Sequence, residues 1–292
     1  MSRKRLTQIF PFLLPLRRWQ RKKFFYYQMQ KGGRRYAKKI ADRSLPCLVF
    51  ETSIPMLNEN SGFDMQYQIN KVHNLKLAAR TIDRVVIEPG ETFSFWQLVR
   101  WADREEKYRD GLNLVDGKIV ASYGGGLCML SDTLFWMFLH TPLTIVERHG
   151  HAVKSFPGTS EAFPSGTDAT VGEGWLDLKA CNETENTFQI EISFDDKYMH
   201  GRILSKKAVG FAYSVFNPTV SYRKEGKKVY QIAPVCRRET DRDTGKQTER
   251  ALYVNQCEIA YKLPEGIKLE EGGIQNGEKE DSRHFRGQFN GV

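Results

Sequence analysis

Gly124-Gly125-Gly126-Leu127-Cys128-Met129-Leu130-Ser131-Asp132-Thr133-Leu134-Phe135-Trp136-Met137-Phe138-Leu139 is the stretch on which the fold turns. Three glycines interrupt the pattern before them, and the residues after them repeat at helical spacing. Leu127, Leu130, Leu134, Met137 and Phe138 share one face, and Phe135, Trp136 and Leu139 widen it. A helix apolar on so many sides belongs inside a protein, covered by other layers. Thr141-Pro142 ends it, because proline cannot continue a helical hydrogen-bond ladder.

The flanks supply those layers. Upstream, Val72, Leu75, Ala78, Ala79 and Ile82 mark a helix over about 71–82. Val85-Val86-Ile87 and Thr92 to Phe95 read as short strands that could pair across the Pro89-Gly90 turn. Leu112 to Val115, Asp116-Gly117 and Lys118 to Val120 form a stronger hairpin signal, since Asp-Gly favours the positive φ angles of tight turns. Downstream, strands are expected at Leu143 to His149, Ala169 to Val171, Trp175 to Cys181 and Thr187 to Phe194. Further strands are expected at Ala212 to Phe216, Val229 to Val235 and Leu252 to Tyr261, and Cys47 to Phe50 adds one near the start. The pattern predicts an α+β fold: a mixed, mostly antiparallel β-sheet packed on the buried helix. Residues 1–45 read as a basic helical arm, 46–205 as the main domain, 206–263 as a β-rich extension and 264–292 as a disordered tail. Turn chemistry at 58–62 and a Pro/Gly/Ser/Thr-rich loop at 155–167 separate elements.

Charge is unevenly placed. The chain of 292 residues has a net charge of +9, yet residues 1–43 hold 14 Lys or Arg and one acid, Asp42, a balance of +13. The remainder is therefore net −4. Such an arm suits a polyanion partner or an anionic membrane surface, or is a solvated basic tail, and the interleaving of Trp19, Phe24, Phe25, Tyr26 and Tyr27 with Arg17, Arg18, Arg21, Lys22 and Lys23 fits an interface. No nucleic-acid motif accompanies it, so no nucleic acid is expected. The apolar run Ile9 to Leu16 is broken by Pro11 and Pro15. It reads as neither a secretory signal nor a membrane span, which needs roughly 20 apolar residues. Five cysteines without CxxC spacing fit reduced thiols better than a disulfide framework. A cytoplasmic protein, peripheral at the inner membrane face, is the expectation.

The chemistry-bearing residues gather around the glycines. Gly124, Gly125 and Gly126 offer N–H groups able to form an anion-binding nest, and the helix start adds partial positive charge. Both would favour a thiolate at Cys128. His149 or His151 would serve as base, Asp168 as the group that orients it, and the N–H groups of Gly126 to Cys128 as oxyanion donors. Arg148 would meet Glu147, an anionic ligand or solvent. Asp132, one turn past Cys128, would oppose a thiolate if it faced the thiol. Four alternatives stand beside this reading. The glycine nest could hold a carboxylate or phosphate without any reaction. The glycines could serve a close backbone crossing. Cys128 could be a small buried residue. Cys128, His149, His151 and Asp168 could hold zinc. No cofactor is called for.

Asn74 to Arg80, Pro89-Gly90-Glu91-Thr92-Phe93-Ser94-Phe95, Gly124 to Cys128, Glu147-Arg148-His149-Gly150-His151 and Asp168-Ala169-Thr170 occur in an order that resembles the VanW family. The resemblance spans about 70–205. The opening Arg3-Lys4-Arg5-Leu6-Thr7-Gln8 and the stretch Leu134 to Leu143 are similar to members from resistance operons. It implies an accessory role in B- or G-type vancomycin resistance, where other proteins make and select the altered peptidoglycan precursor. It also implies a peptidoglycan precursor or peptide as ligand, and no particular reaction. Met129 departs from the pattern, in which Gln follows the cysteine.

Overall fold

The computed structural model describes residues 10–58, 62–115, 118–155 and 163–271. The Asp116-Gly117 turn, part of the expected turn at 58–62 and of the loop at 155–167, and most of the expected tail lie outside the described residues.

Helix α1 (Leu14–Lys31) opens the chain. The helical arm was expected over residues 1–45. It stops earlier because Gly32-Gly33 follows, with Gly33 at φ +66°, and glycine favours ending a helix over extending it. Strand β1 (Arg35–Tyr36) then pairs in parallel with β4 (Glu91–Ser94). Between them come β2 (Cys47–Pro55), helix α2 (Met65–Ala79) and β3 (Val86–Ile87). Asp64 caps α2 by accepting from the Gln66 N–H at 2.8 Å. The short helix α3 (Phe95–Val99) follows, capped by Ser94. β5 (Asp110–Val115) and β6 (Lys118–Tyr123) make the expected hairpin. The buried helix is α4 (Cys128–Leu139).

Strands β7 (Thr144–Glu147), β8 (Val153–Lys154), β9 (Lys179–Cys181), β10 (Phe188–Phe194) and β11 (Tyr198–Ser205) complete the central part. β12 (Phe211–Phe216), β13 (Ser221–Glu225), β14 (Lys228–Asp241), β15 (Gln247–Ile259) and β16 (Leu269–Glu271) follow. The strands form sheets ordered β1-β4-β9-β7, β2-β11-β10-β3 and β16-β13-β14-β15-β8, with β12 on β14 and the β5-β6 hairpin apart. Most pairings are antiparallel, as the sequence reading expects. β3 and β4 do not form a hairpin. β3 joins β10, and β4 joins β1 and β9, because buried residues on both strands find larger partners than each other.

α4 is the centre of the core. Leu130, Leu134, Phe135, Met137 and Phe138 are fully buried and pack with Leu75, Phe93, Phe95, Ile190 and Ile203. Each such side chain contributes about 1.5–3 kcal/mol of transfer free energy. The helix lies so close to β11 that a Cβ on Gly201 would come within 2.3 Å of the Met137 sulfur. This packing holds the first turn of α4, and Cys128 with it, against the segment 168–171.

Candidate functional site

The glycine segment is a tight turn into α4. Gly124 and Gly126 have φ of +72° and +92°, a region where L side chains are strained. Gly125 crosses the backbone of Gly111 so closely that a Cβ there would lie 2.2 Å from its carbonyl. Buried Asn74 clamps the crossing. Its amide donates to the Arg109 and Gly125 carbonyls at 2.9 and 3.0 Å, and its oxygen accepts from the Arg109 N–H at 2.8 Å. The Gly124 and Gly125 N–H groups donate to the carbonyls of Arg109 and Ser122. Of the five-residue segment, the N–H groups of Gly126, Leu127 and Cys128 meet no acceptor among the described residues. The close crossing and the free donors thus divide between different glycines.

Cys128 is half-buried at the start of α4, its sulfur 3.5 Å from Thr170 Oγ1 and 4.0 Å from the Val171 carbonyl. Residues 169–171 were expected to be a strand, but they join no sheet: α4 side chains take both backbone groups of Ala169, and the Thr170 N–H donates to the His149 carbonyl at 2.7 Å. Ser131 Oγ donates to the Ala169 carbonyl at 2.5 Å, and Asp132 Oδ1 accepts from the Ala169 N–H at 2.6 Å. Holding Ala169 from both sides sets Asp168 and Thr170 in place beside the thiol.

Asp168 receives His151 twice: its Oδ2 accepts from the His151 backbone N–H at 2.6 Å and pairs with the ring Nδ1 at 2.8 Å. That leaves Nε2 as the ring nitrogen available to the Cys128 thiol, with which the imidazole interacts. Burial disfavours the imidazolium, but the Asp168 hydrogen bond, the Cys128 contact and the Asp132 charge outweigh it. The ring's affinity for a proton is raised well above that of a free histidine. Burial works against the Asp168 carboxylate too, and the His151 hydrogen bond and Arg148 charge overcome it, holding Asp168 below the usual range. Asp132 is pushed up to about 7, chiefly by burial, with His151 opposing the shift. Asp132 therefore belongs to the electrostatics of the imidazole, a role that its position four residues past Cys128 on an apolar helix hinted at.

Arg148 is neither unpaired nor at Glu147. Its Nε donates to the Asp168 carbonyl at 2.7 Å, Nη2 to the Gly166 carbonyl at 2.8 Å, and Nη1 to Asn255 Oδ1 at 3.1 Å. Nη2 also reaches Asp168 Oδ1 at 3.3 Å, and the guanidinium lies between the rings of Phe135 and Tyr253. It positions Asp168. His149 turns elsewhere: Nε2 pairs with Glu147 at 3.1 Å, in a cluster where Lys179 Nζ meets Glu147 at 2.6 Å and Asp177 at 3.7 Å. The zinc set is accordingly not assembled, and no group of three metal-ligating residues occurs among the described residues.

Residues that sequence reasoning did not single out complete the surroundings. Asn74, Ser131 and Thr170 act through the contacts above; a polar residue on a buried helix face was the signal available for the first two. Lys71 lies over Gly126, whose Cβ would meet its Cγ at 2.3 Å. Its ammonium donates to Gln68 at 2.7 Å, and burial lowers its pKa to about 8. Nothing in the helix periodicity distinguished it from a solvated lysine.

A family model described as VanW like protein matches residues 70–204, which contain all of these groups except Gln68, Tyr253 and Asn255. The chain is 48% identical over 272 residues to the Vancomycin B-type resistance protein VanW of Enterococcus faecalis (strain ATCC 700802 / V583). That alignment covers 93% of this chain and 99% of the relative. It is 38% identical over 114 residues to the Uncharacterized protein YoaR of Bacillus subtilis (strain 168), covering 39% of this chain and 36% of that one. No solved structure matches. With near-complete coverage at 48% identity and the domain match over the site, the chain belongs to the VanW family.

Proposed function

We propose that this chain is an accessory protein of glycopeptide resistance whose Cys128, His151 and Asp168 perform cysteine-dependent acyl transfer or hydrolysis on a peptidoglycan precursor or peptide. The resistance context comes from its similarity to the enterococcal protein. The reading is supported by one arrangement: Asp168 holds His151 Nδ1 at 2.8 Å, which leaves Nε2 to serve Cys128, a group that also raises the imidazole's affinity for a proton. In this reading His151 takes the thiol proton as sulfur attacks a substrate carbonyl. A carbon–sulfur bond forms, and the developing oxyanion meets the unengaged N–H groups of Gly126, Leu127 and Cys128. As the intermediate collapses, the carbon–nitrogen bond breaks and the imidazolium returns its proton to the leaving amine. Water or an acceptor amine then cleaves the thioester, with His151 again as base.

Alkylation by iodoacetamide tests the pair directly. At pH 6, Cys128 is expected to react at least about tenfold faster than free glutathione, and His151→Gln is expected to remove that advantage. Site-resolved mass spectrometry assigns the modification. Equal rates for Cys128 and Cys47, unaffected by His151→Gln, would sink the nucleophile.

A second reading has its own support. The free N–H groups and Lys71, a cation with no carboxylate partner among the described residues, suit an anionic cell-wall intermediate bound without reaction. If Cys128→Ala keeps full function in a vancomycin-susceptibility assay that depends on the protein, binding is the function and catalysis is not.

A further inference from the structure

The face of α1 turned away from the body is covered neither by its own domain nor by acidic partners. Lys22, Phe25, Tyr26 and Met29, spaced three and four apart, seat the helix. Met29 is buried, the Tyr26 hydroxyl donates to Glu173 at 3.0 Å, and Lys22 pairs with Glu173. Trp19, Phe24 and Tyr27 remain 57%, 62% and 48% exposed. With Arg17, Arg21 and Lys23 they line an open hollow on the helix. The helix has no acidic residue, and among the described residues only Lys22 of its cations is in an ion pair.

The same surface continues beyond the helix. Trp175 and Trp101 are each 58% exposed. The Arg21 guanidinium lies 5.2 Å over Trp175. On the other flank Arg100 lies 4.8 Å over Tyr26 and 5.5 Å over Trp101, with Arg104 4.9 Å from the same indole. Exposed indoles beside unpaired cations, drawn from three separate segments, form one patch. Indoles and phenyl rings partition to the boundary between headgroups and acyl chains, and arginine and lysine meet the phosphates above it. No helix among the described residues is long and apolar enough to cross a membrane.

We propose that α1, Trp101 and Trp175 together form a docking surface for an anionic phospholipid bilayer, with α1 lying in the plane of the interface. Charge complementarity selects this occupant, and the large exposed rings favour a lipid boundary over a purely ionic polymer. The surface sits next to the candidate site: a Cβ on Gly174 would be 3.2 Å from the Lys22 backbone nitrogen, and the chain from Gly174 leads in three residues to Val171 at the Cys128 sulfur. Docking would therefore hold Cys128 near the membrane surface, whatever chemistry the thiol performs.

Vesicle co-sedimentation of the full chain tests this. Vesicles of phosphatidylcholine with about 30% phosphatidylglycerol are expected to bind at least about tenfold more tightly than pure phosphatidylcholine at about 0.1 M salt. Each cation near an anionic surface contributes about a fivefold factor. Arg17→Gln/Arg18→Gln/Lys23→Gln is thus expected to lower binding by about 100-fold. Trp19→Ala/Phe24→Ala, which alters only exposed side chains, is expected to lower it by about fivefold or more with an unchanged circular dichroism spectrum. Equal binding to both vesicle types overturns the proposal. So does indifference to Trp19→Ala/Phe24→Ala, or tighter binding to a single-stranded RNA oligonucleotide than to the anionic vesicles at the same salt.

Discussion

At the residue scale, the decisive arrangement is one imidazole between two carboxylates. Asp168 is held ionised by His151 and Arg148, whereas burial makes Asp132 retain its proton up to about 7. The sign of the Asp132 effect follows from linkage. Its pKa is higher folded than unfolded, so the folded protein binds the extra proton between about pH 4 and 7, and stability falls as pH rises through that window. Asp132→Asn keeps an oxygen for the Ala169 N–H and removes the titration. Its unfolding free energy is expected to fall less than the wild type's between pH 4 and 7, by on the order of 2 kcal/mol. Urea denaturation at pH 4, 5.5 and 7 measures this, and parallel curves would contradict the assigned role. Above about pH 7, where Asp132 is ionised, the same variant also removes a charge supporting the His151 imidazolium, so alkylation of Cys128 at pH 8 reports the coupling independently. Sequence alone presented Asp132 as an adverse charge and left His149 and His151 equivalent. The choice between the histidines depends on Glu147 drawing His149 away, and Lys179, which holds Glu147, reaches it from strand β9.

At the element scale, the buried helix and the β5-β6 hairpin were legible because their signals are local: helical periodicity in one, Asp-Gly between alternating runs in the other. The β3-β4 pairing was misread because register between short strands is set by distant partners in β9 and β10. The expected strand at 169–171 failed for a different reason. The backbone groups of Ala169 are satisfied by Ser131 and Asp132, and side-chain latches leave no trace in β propensity. The glycine turn separates two demands that a glycine run superimposes. Gly124 needs only a positive φ, and a Cβ there would touch Tyr108 at 3.4 Å; Gly125 needs absence of volume against Gly111. Gly124→Ala is therefore expected to cost about 1–2 kcal/mol, the penalty of a left-handed alanine. Gly125→Ala is expected to cost about 3 kcal/mol or more, because backbone must move. Thermal denaturation orders the two, and the reverse order would place the strain at the wrong glycine.

At the scale of the whole molecule, the site is finished by chain far from its motifs. Residues 206–263 carry strands β12 to β15, and their reach back to the site depends on β15 pairing in parallel with β8, Glu258 opposite Val153, two residues past His151. Through that pairing β15 delivers Asn255 to Arg148 and the Tyr253 hydroxyl to the Gly166 carbonyl at 2.9 Å. Arg148 in turn fixes Asp168, and Asp168 fixes His151. A contact so remote in sequence carries no local signal, and the matched domain at residues 70–204 ends before it. Asn255→Ala removes one acceptor from a guanidinium that keeps its other partners, so the stability loss is expected to be about 1–2 kcal/mol. If Arg148 acts by orienting Asp168, the same substitution should also slow iodoacetamide modification of Cys128 several-fold at pH 6, while Cys47 is unaffected. Tyr253→Phe, which removes one of two donors from the Gly166 carbonyl and leaves every acceptor of the guanidinium in place, should lose about 1 kcal/mol with a smaller effect on Cys128. Loss of stability in both variants with unchanged Cys128 reactivity would mean that the C-terminal sheet supports the fold and not the site.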